Sequence, residues 1–236
     1  MSNAVLCLPT YNERENLEQM IAALEPLGVR VLVVDDNSPD GTGEIADRLA
    51  AERDWLSVLH RERKEGLGRA YVAGFREVLR GDADYVLEMD CDFSHDPADV
   101  PRLIAAAEAG ADLALGSRYV PGGGTENWGL LRRLISRGAS VYTRALLMPI
   151  HDATGGFKCF RRQVLEAIEL ETIDAAGYVF QIETTYRTLR KGFRVVEVPI
   201  HFVDRREGRS KMSRAIVLEA IWKVPVLRLR TLFGRL

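Results

Sequence analysis

The first half of the sequence alternates short apolar runs with longer amphipathic segments, and few architectures accept that order. The short runs are typical of buried strands and lie at residues 4–8, 30–34, 56–60, 85–89 and 111–115. The longer segments have apolar residues at helical spacing and lie at residues 13–24, 41–51, 67–79 and 97–109. This alternation predicts βαβ units, and therefore an α/β fold with a Rossmann-like, mostly parallel sheet flanked by helices.

The second half of the sequence is less regular. Helices are predicted at residues 130–147 and 177–191, and strand-like runs lie at residues 193–198 and 199–203. A last helix is predicted at residues 213–224, and Pro225 should interrupt it because proline has no amide hydrogen to donate. The simplest division is one domain over residues 1–212, followed by a basic, amphipathic helical appendage over residues 213–236. The apolar residues of this appendage would either face an anionic membrane surface or pack on the sheet.

The C-terminal end is basic although the whole chain carries a net charge of only −2. Residues 205–236 contain nine Lys and Arg residues against two Glu residues. This asymmetry predicts contact with an anionic partner such as a lipid headgroup, a phosphate group or DNA, while a solvated helix face explains it equally well. Nucleic acid is the disfavoured partner, because the sequence pI is about 6.1 and no aromatic residues interleave with the basic ones.

The sequence also indicates a compartment. No stretch approaches the roughly 20 apolar residues of a membrane-spanning helix, and the first residues lack the basic region of a secretory signal. Cys7, Cys91 and Cys159 are too few and too scattered for a disulfide framework or a zinc site. We therefore expect a protein of the reducing cytoplasm.

Polar and acidic residues gather where four of the predicted strands end. These stretches lie at residues 9–13, 35–42, 90–92 and 116–119. Ligands of an open α/β sheet bind outside the carboxyl ends of its strands, near the point where the strand order reverses. We therefore expect the four stretches to form one binding site.

Asp90 and Asp92 follow the fourth predicted strand and indicate a metal site. Neighbouring carboxylates repel each other unless a cation offsets their charge, and hard oxygen ligands suit Mg²⁺ or Mn²⁺. The alternative is an ordinary turn and helix cap. Asp35 and Asp36 are similarly ambiguous: a carboxylate there could accept hydrogen bonds from a nucleobase or ribose, whereas Ser38 or Asp40 could cap the next helix.

Two common phosphate-binding patterns are absent. The segment at residues 64–69 contains two glycines, but Tyr71 stands where the dinucleotide fingerprint needs a third, so a close-packed turn is the better interpretation. The P-loop pattern does not occur. A basic segment with Arg205, Gly208, Ser210 and Lys211 precedes the last helix and predicts an anion site, with a charged linker as the alternative.

Taken together, these motifs resemble the family-2 glycosyltransferases with the GT-A fold, and more narrowly the polyprenol-phosphate (dolichol-phosphate) mannosyltransferases. The resemblance extends from residue 9 to residue 211 and depends on the order and spacing of seven short motifs. They are Pro9-Thr10-Tyr11-Asn12-Glu13, Val34-Asp35-Asp36-x-Ser38-x-Asp40-Gly41-Thr42, Met89-Asp90-x-Asp92, Gly116-Ser117-Arg118-Tyr119, Ile135-Ser136-Arg137-Gly138-Ala139, Asp152-x-Thr154-Gly155 and Arg205-x-x-Gly208-x-Ser210-Lys211.

The resemblance implies inverting transfer of mannose from GDP-mannose to a polyprenyl monophosphate, with Mg²⁺ or Mn²⁺ as cofactor. The residues that would hold the nucleoside are Pro9, Tyr11, Glu13 and Asp36. Asp90 and Asp92 would handle the metal and the diphosphate. The residues that would take the phosphates are Arg118, Arg132, Arg205 and Lys211, with Arg118 also near the donor. The lipid acceptor implies a membrane surface, or a separate membrane subunit, at the cytoplasmic face.

One position departs from the pattern and two other functions remain open. Relatives often have Gln two residues after the second Asp, where it can help to ligate the metal, and this chain has Ser94 there. Nothing in the composition separates GDP-mannose from UDP-glucose, so a UDP-glucose-dependent polyprenyl-phosphate glucosyltransferase is one alternative. The other is a non-catalytic subunit that binds a sugar nucleotide or a lipid phosphate.

Overall fold

The structure, a computed structural model, describes residues 3–173, 177–204 and 214–233. Its strands within these residues are β1 (Ala4–Thr10), β2 (Arg30–Asp35), β3 (Leu56–His60), β4 (Tyr85–Glu88), β5 (Leu113–Ser117), β6 (Gly124–Glu126), β7 (Lys158–Arg161), β8 (Val195–Pro199) and β9 (His201–Val203). Its helices are α1 (Leu17–Leu24), α2 (Thr42–Ala51), α3 (Leu67–Leu79), α4 (Val100–Glu108), α5 (Leu130–Leu146), α6 (Arg162–Ala167), α7 (Gly177–Arg190) and α8 (Arg214–Leu232).

Seven strands form the central sheet in the order β3-β2-β1-β4-β7-β5-β8. All neighbours pair in parallel except β7, which runs antiparallel to both β4 and β5. The expected α/β fold with a mostly parallel sheet is therefore confirmed. The strand order reverses at β1, because β2 and β3 extend to one side of it and β4 pairs on the other. That reversal opens a crevice at the carboxyl ends of β1 and β4.

Both faces of the sheet are covered by helices. Alternate residues of β1 point to opposite faces, so Leu6 packs with α1, α2 and α4, and Cys7 packs with α3, α6 and α7. Burial on both faces explains why the strands read as continuous apolar runs in the sequence. Helix α3 approaches the sheet closely at Gly74, where a Cβ atom would lie 2.9 Å from Cγ2 of Val34.

Several predicted boundaries differ from the structure by a few residues. Helix α1 begins at Leu17 rather than at residue 13, because residues 13–16 form a turn in which the carbonyl of Glu13 accepts from the amides of Asn16 and Leu17. Strand β5 begins at Leu113, two residues later than expected. Strand β7 was not predicted, because the buried Lys158 interrupts its apolar pattern.

The prediction that Pro225 ends the last helix is wrong, because α8 continues through Pro225 to Leu232. A proline removes one hydrogen bond from a helix. Val224 and Leu227, on either side of it, are buried against Leu115 and Tyr186, and this packing offsets the loss. The division at residue 212 remains a prediction.

A second, two-stranded sheet pairs β6 with β9 in parallel and lies beside the carboxyl end of β5. The amide of Val203 in β9 donates to the carbonyl of Ser94 at 3.2 Å, which ties this small sheet to the loop after β4. In the part of the chain that the structure describes, no helix is both long and apolar enough to cross a bilayer.

A fully buried ion pair joins the two central strands β4 and β7. Nζ of Lys158 lies 3.1 Å from Oε1 of Glu88, and it also donates to the Gln181 carbonyl at 3.1 Å and to the Thr184 hydroxyl at 3.0 Å. Burial raises the pKa of Glu88 and lowers that of Lys158, while each partner opposes the shift of the other. The pair therefore fastens α7 to the sheet at the cost of two desolvated charges.

We expect Lys158→Met to lower the free energy of unfolding by about 3–5 kcal/mol, because it leaves Glu88 buried without a counter-charge. The double variant Glu88→Leu/Lys158→Met should lose less than the single variant, since it removes both charges. Urea unfolding followed by circular dichroism measures both. Equal losses in the single and the double variant would contradict this account of the pair.

Candidate active site

A cavity of about 330 Å³ opens at the carboxyl ends of β1, β4 and β5. It brings together candidate residues that are far apart in the sequence. These lining residues are Pro9, Tyr11, Glu13, Asp36, Asp90, Asp92, Arg118 and Arg132. The other two candidates, Arg205 and Lys211, lie outside the described residues. The expected convergence of strand ends is thus present in the fold.

The two carboxylates that end β2 have different tasks. Asp35 accepts from the amide and hydroxyl of Ser38 at 3.1 and 2.6 Å and from the hydroxyl of Thr10 at 3.2 Å. It therefore holds the loop after β2 against β1. Asp36 lines the cavity and pairs with Arg61. Burial raises the pKa of Asp36, and the Arg61 guanidinium opposes that rise.

The loop after β1 presents Tyr11 and Glu13 to the same end of the cavity. The Nζ atom of Lys64 lies 3.5 Å from the centroid of the Tyr11 ring, which makes a cation–π contact. The amide of Glu13 donates to the hydroxyl of Thr42 at 3.0 Å, and its carboxylate accepts from Asn16 at 2.9 Å. An aromatic face, a cation and Asp36 together suit a nucleoside with its phosphates.

The turn after β4 orients the acidic pair. Nδ1 of His95 accepts from the amide of Asp90 at 3.3 Å, and burial lowers the pKa of His95 to about 4 despite the opposing charge of Asp92. His95 is therefore neutral at pH 7 and able to accept this bond. Oδ1 of Asp92 accepts from the amide of Ser94 at 3.1 Å and also from its hydroxyl. The turn is thus held by its own side chains.

The donor set at this turn fits a hard divalent cation. Asp90 and Asp92 supply carboxylate oxygens, and burial raises the pKa of Cys91 between them, so that its thiol stays protonated and offers no soft thiolate ligand. The described residues contain no group of three or more His, Cys, Asp and Glu side chains placed to hold a metal. Mg²⁺ or Mn²⁺ bound here would therefore take its remaining ligands from phosphate oxygens and water.

Arg118 at the end of β5 is fixed by a carboxylate beneath it. Its Nε and Nη2 atoms donate to the two oxygens of Asp152 at 2.6 and 2.5 Å, and Nη2 also donates to the hydroxyl of Thr154 at 2.8 Å. Burial alone would lower the pKa of Arg118, but the Asp152 carboxylate raises it above its usual range. The guanidinium is thus a permanently charged, immobile group in the cavity wall.

Arg132 is on α5 and reaches the cavity from the other side. Its Nη1 atom donates to Oδ1 of Asp204 at 2.6 Å, and its guanidinium carbon lies 4.1 Å from the centroid of the Trp128 ring. The Trp128 ring meets Phe202 edge-on at 5.3 Å, and Phe202 meets His95 at 5.2 Å. We call Trp128, Phe202 and His95 the aromatic wall, because they connect Arg132 to the acidic turn.

Sequence reasoning missed part of this cavity. Lys64 lies in a segment interpreted only as a turn, and Tyr178 and Gln181 reach the cavity from α7 without a local motif. The Asp152-x-Thr154-Gly155 motif was noticed but given no task, and the structure shows that it anchors Arg118. A Cβ atom at Gly155 would lie 2.9 Å from the carbonyl oxygen of Gly116, so this loop packs directly on β5.

The chain is similar to a known protein family and to several of its members. The family model described as Glycosyl transferase family 2 matches residues 5–169. A polyprenol monophosphomannose synthase of Mycolicibacterium smegmatis is 50% identical over 224 residues, which cover 93% of this chain and 84% of that protein. An undecaprenyl-phosphate mannosyltransferase of Micrococcus luteus is 49% identical over 220 residues, which cover 92% of this chain and 90% of that protein.

Among solved structures, the mannosyltransferase PcManGT of Pyrobaculum calidifontis, in complex with GDP-Man and Mn²⁺, superimposes with a TM-score of 0.60. It is 18% identical, and the match covers 88% of this chain and 58% of that one. At that identity the likeness shows the fold alone, which is the expected GT-A fold. The family match and the two relatives at about 50% identity show that the chain is a glycosyltransferase and belongs to glycosyl transferase family 2.

Proposed function

We propose that this enzyme transfers mannose from GDP-mannose to a polyprenyl monophosphate, with inversion at the sugar carbon, and forms polyprenyl-phosphate mannose. The observation that carries the proposal is the single cavity in which the acidic pair Asp90 and Asp92 is joined by the aromatic wall to Arg132, with Arg118 fixed in the same cavity. One end suits a nucleoside diphosphate and the other a second phosphate. The names of the two relatives at 49–50% identity support the same reaction.

The reaction is a direct displacement at the anomeric carbon. An oxygen of the acceptor phosphate forms the new bond to carbon 1 of mannose, while the bond from that carbon to the diphosphate oxygen breaks and its electron pair leaves with GDP. A phosphomonoester has its second pKa near about 6, so the acceptor is largely dianionic at pH 7. No side chain is therefore required to remove a proton from the nucleophile.

The residues of the cavity address the repulsion between two anions. Asp90 and Asp92 would hold Mg²⁺ or Mn²⁺, and the metal would supply charge stabilisation for the departing diphosphate. Arg118 and Arg132 orient the incoming phosphate and offset its charge. Asp152 keeps Arg118 from turning away, so Arg118 needs little reorganisation when the phosphate arrives. Arg205 and Lys211 are assigned to the same phosphates from the sequence alone.

The nucleoside is assigned to Pro9, Tyr11, Glu13 and Asp36, which line the opposite end of the cavity. The complex of PcManGT with GDP-Man and Mn²⁺ supports this donor and cofactor for the fold. A polyprenyl acceptor also implies that the enzyme works at a membrane surface, or beside a separate membrane subunit, on the cytoplasmic side. No role for nucleic acid is proposed.

The decisive experiment offers radiolabelled GDP-mannose, UDP-glucose or UDP-GlcNAc to the enzyme with a polyprenyl phosphate and Mg²⁺ or Mn²⁺. Label from GDP-mannose should enter the lipid-soluble product, and excess chelator should stop this until the metal is restored. Label from UDP-glucose would identify the glucosyltransferase instead. If the protein binds GDP-mannose but no donor gives a lipid-soluble labelled product, the protein is a non-catalytic binding subunit.

We expect Asp92→Asn to lower kcat for mannose transfer by about 100-fold or more, because the departing diphosphate loses much of its charge stabilisation. Steady-state kinetics with GDP-mannose measure the effect. Asp54→Asn is the matched control, since Asp54 is exposed and lies in the turn before β3. A kcat for Asp92→Asn within twofold of the Asp54→Asn value would refute the metal assignment.

We expect Arg132→Gln to raise the KM for a short-chain, water-soluble prenyl phosphate by about tenfold or more, because a charge-assisted contact with phosphate is lost. The dissociation constant of GDP-mannose, measured by calorimetry, should change less than twofold. Arg133→Gln is the control, because the neighbouring Arg133 is exposed on the same helix. If Arg132→Gln weakens the binding of both substrates equally, the assignment of Arg132 to the acceptor is wrong.

A further inference from the structure

Helix α5 has the reverse of the polarity that a helix on a water-covered surface should have. Its buried residues are Ser136, Ser140 and Thr143. Its exposed residues include four large apolar side chains, with exposed fractions of 73% for Leu130, 71% for Leu131, 59% for Leu134 and 67% for Val141. A helix on the surface of a soluble domain normally turns its leucines inward and its hydroxyls outward.

These four apolar residues form a stripe on one side of the helix, which we call the outer face of α5. At about 100° per residue, Leu130, Leu134 and Val141 project within about 40° of one another, and Leu131 adjoins them. Ser136 and Thr143 project on the opposite side of the helix, toward the body of the protein. The hydroxyl of Ser136 accepts from the hydroxyl of Tyr119 at 2.7 Å, which fixes the helix in this rotation.

The charge beside this stripe indicates what covers it. Helix α5 contains four arginines and no Asp or Glu. Arg133, Arg137 and Arg144 are exposed and lie along one flank of the outer face. An apolar stripe with a purely cationic flank is the pattern of a helix that lies in the interface of a bilayer with anionic lipids. A purely apolar protein partner would leave the arginines without a counter-charge.

Helix α8 has exposed apolar residues of its own. Helix α8 contacts α5, and Trp222, Leu229 and Phe233 at this end of the chain have exposed fractions of 75%, 51% and 75%. Arg228 and Arg230 lie exposed among them. Tryptophan is enriched where proteins meet the headgroup region of a bilayer.

We propose that the outer face of α5 is a membrane-docking surface that inserts into an anionic bilayer to the boundary between headgroups and acyl chains. The consequence for the active site rests on the proposed function. Arg132 is on the inner side of the same helix and lines the cavity. Docking would bring Arg132 close to the headgroup layer, so a lipid phosphate could enter the cavity while its prenyl chain stays in the bilayer.

The test is flotation of the full chain with vesicles of phosphatidylcholine, with or without phosphatidylglycerol. Wild type should bind the anionic vesicles, and Leu131→Gln/Leu134→Gln should lower the partition coefficient by about tenfold or more. Leu131→Met/Leu134→Met is the matched control, because it keeps the apolar surface and a similar helix propensity. Arg133→Glu/Arg137→Glu should weaken binding, whereas Arg80→Glu, exposed at the end of α3, should not.

Transfer to a short-chain, water-soluble prenyl phosphate separates this proposal from the proposed function. The glutamine variant should keep the wild-type rate with that acceptor and lose activity only with a long-chain acceptor in vesicles. Equal vesicle binding by wild type and the glutamine variant would overturn the docking proposal, whatever the transfer assay shows. The proposal would also be overturned if wild type sedimented as a dimer and the glutamine variant as a monomer, because a second copy would then cover this face.

Discussion

Parallel strands direct all their carboxyl ends to one edge of a sheet, and polar groups placed after those ends must share the same small volume. In this protein the reversal of strand order between β1 and β4 opens that edge. The motif after β1 supplies an aromatic ring and a carboxylate, the turn after β4 supplies two more carboxylates, and β5 ends on an arginine. Every task assigned to the cavity depends on this convergence, because the carboxylates and the arginine come from the ends of different strands.

The sequence was sufficient to predict strands and cavity residues wherever the signal is local or periodic. The central strands are buried on both faces, so their apolar runs marked them clearly, and the polar stretches at their ends marked the cavity. Eight of the ten candidate residues line it. The ends of the helices were predicted less accurately. The turn at Glu13 and the continuation of α8 through Pro225 depend on hydrogen bonds and packing that no local pattern reveals.

The remaining features depend on residues that are distant in the sequence. Arg118 was expected to meet phosphate, but its anchor, Asp152, is recognisable only when β5 and the following loops are folded together. The same holds for Lys158 in β7, whose charge is matched by Glu88 in β4. A lysine within an apolar run argues against a buried strand if only the neighbouring sequence is considered. The aromatic wall likewise assembles a tryptophan, a phenylalanine and a histidine from three separate loops and strands.

In the proposed function, the ion pair between Arg132 and Asp204 would control which anions bind at the acceptor end of the cavity. An incoming anion must compete with a carboxylate that is already bound to the guanidinium at 2.6 Å. A singly charged diester or carboxylate offers no more charge than Asp204 does, whereas a terminal phosphomonoester offers nearly twice as much at pH 7. Under the proposed function, this electrostatic competition would favour an unsubstituted lipid phosphate over its own glycosylated product, which is a diester, and it would also favour release of the product.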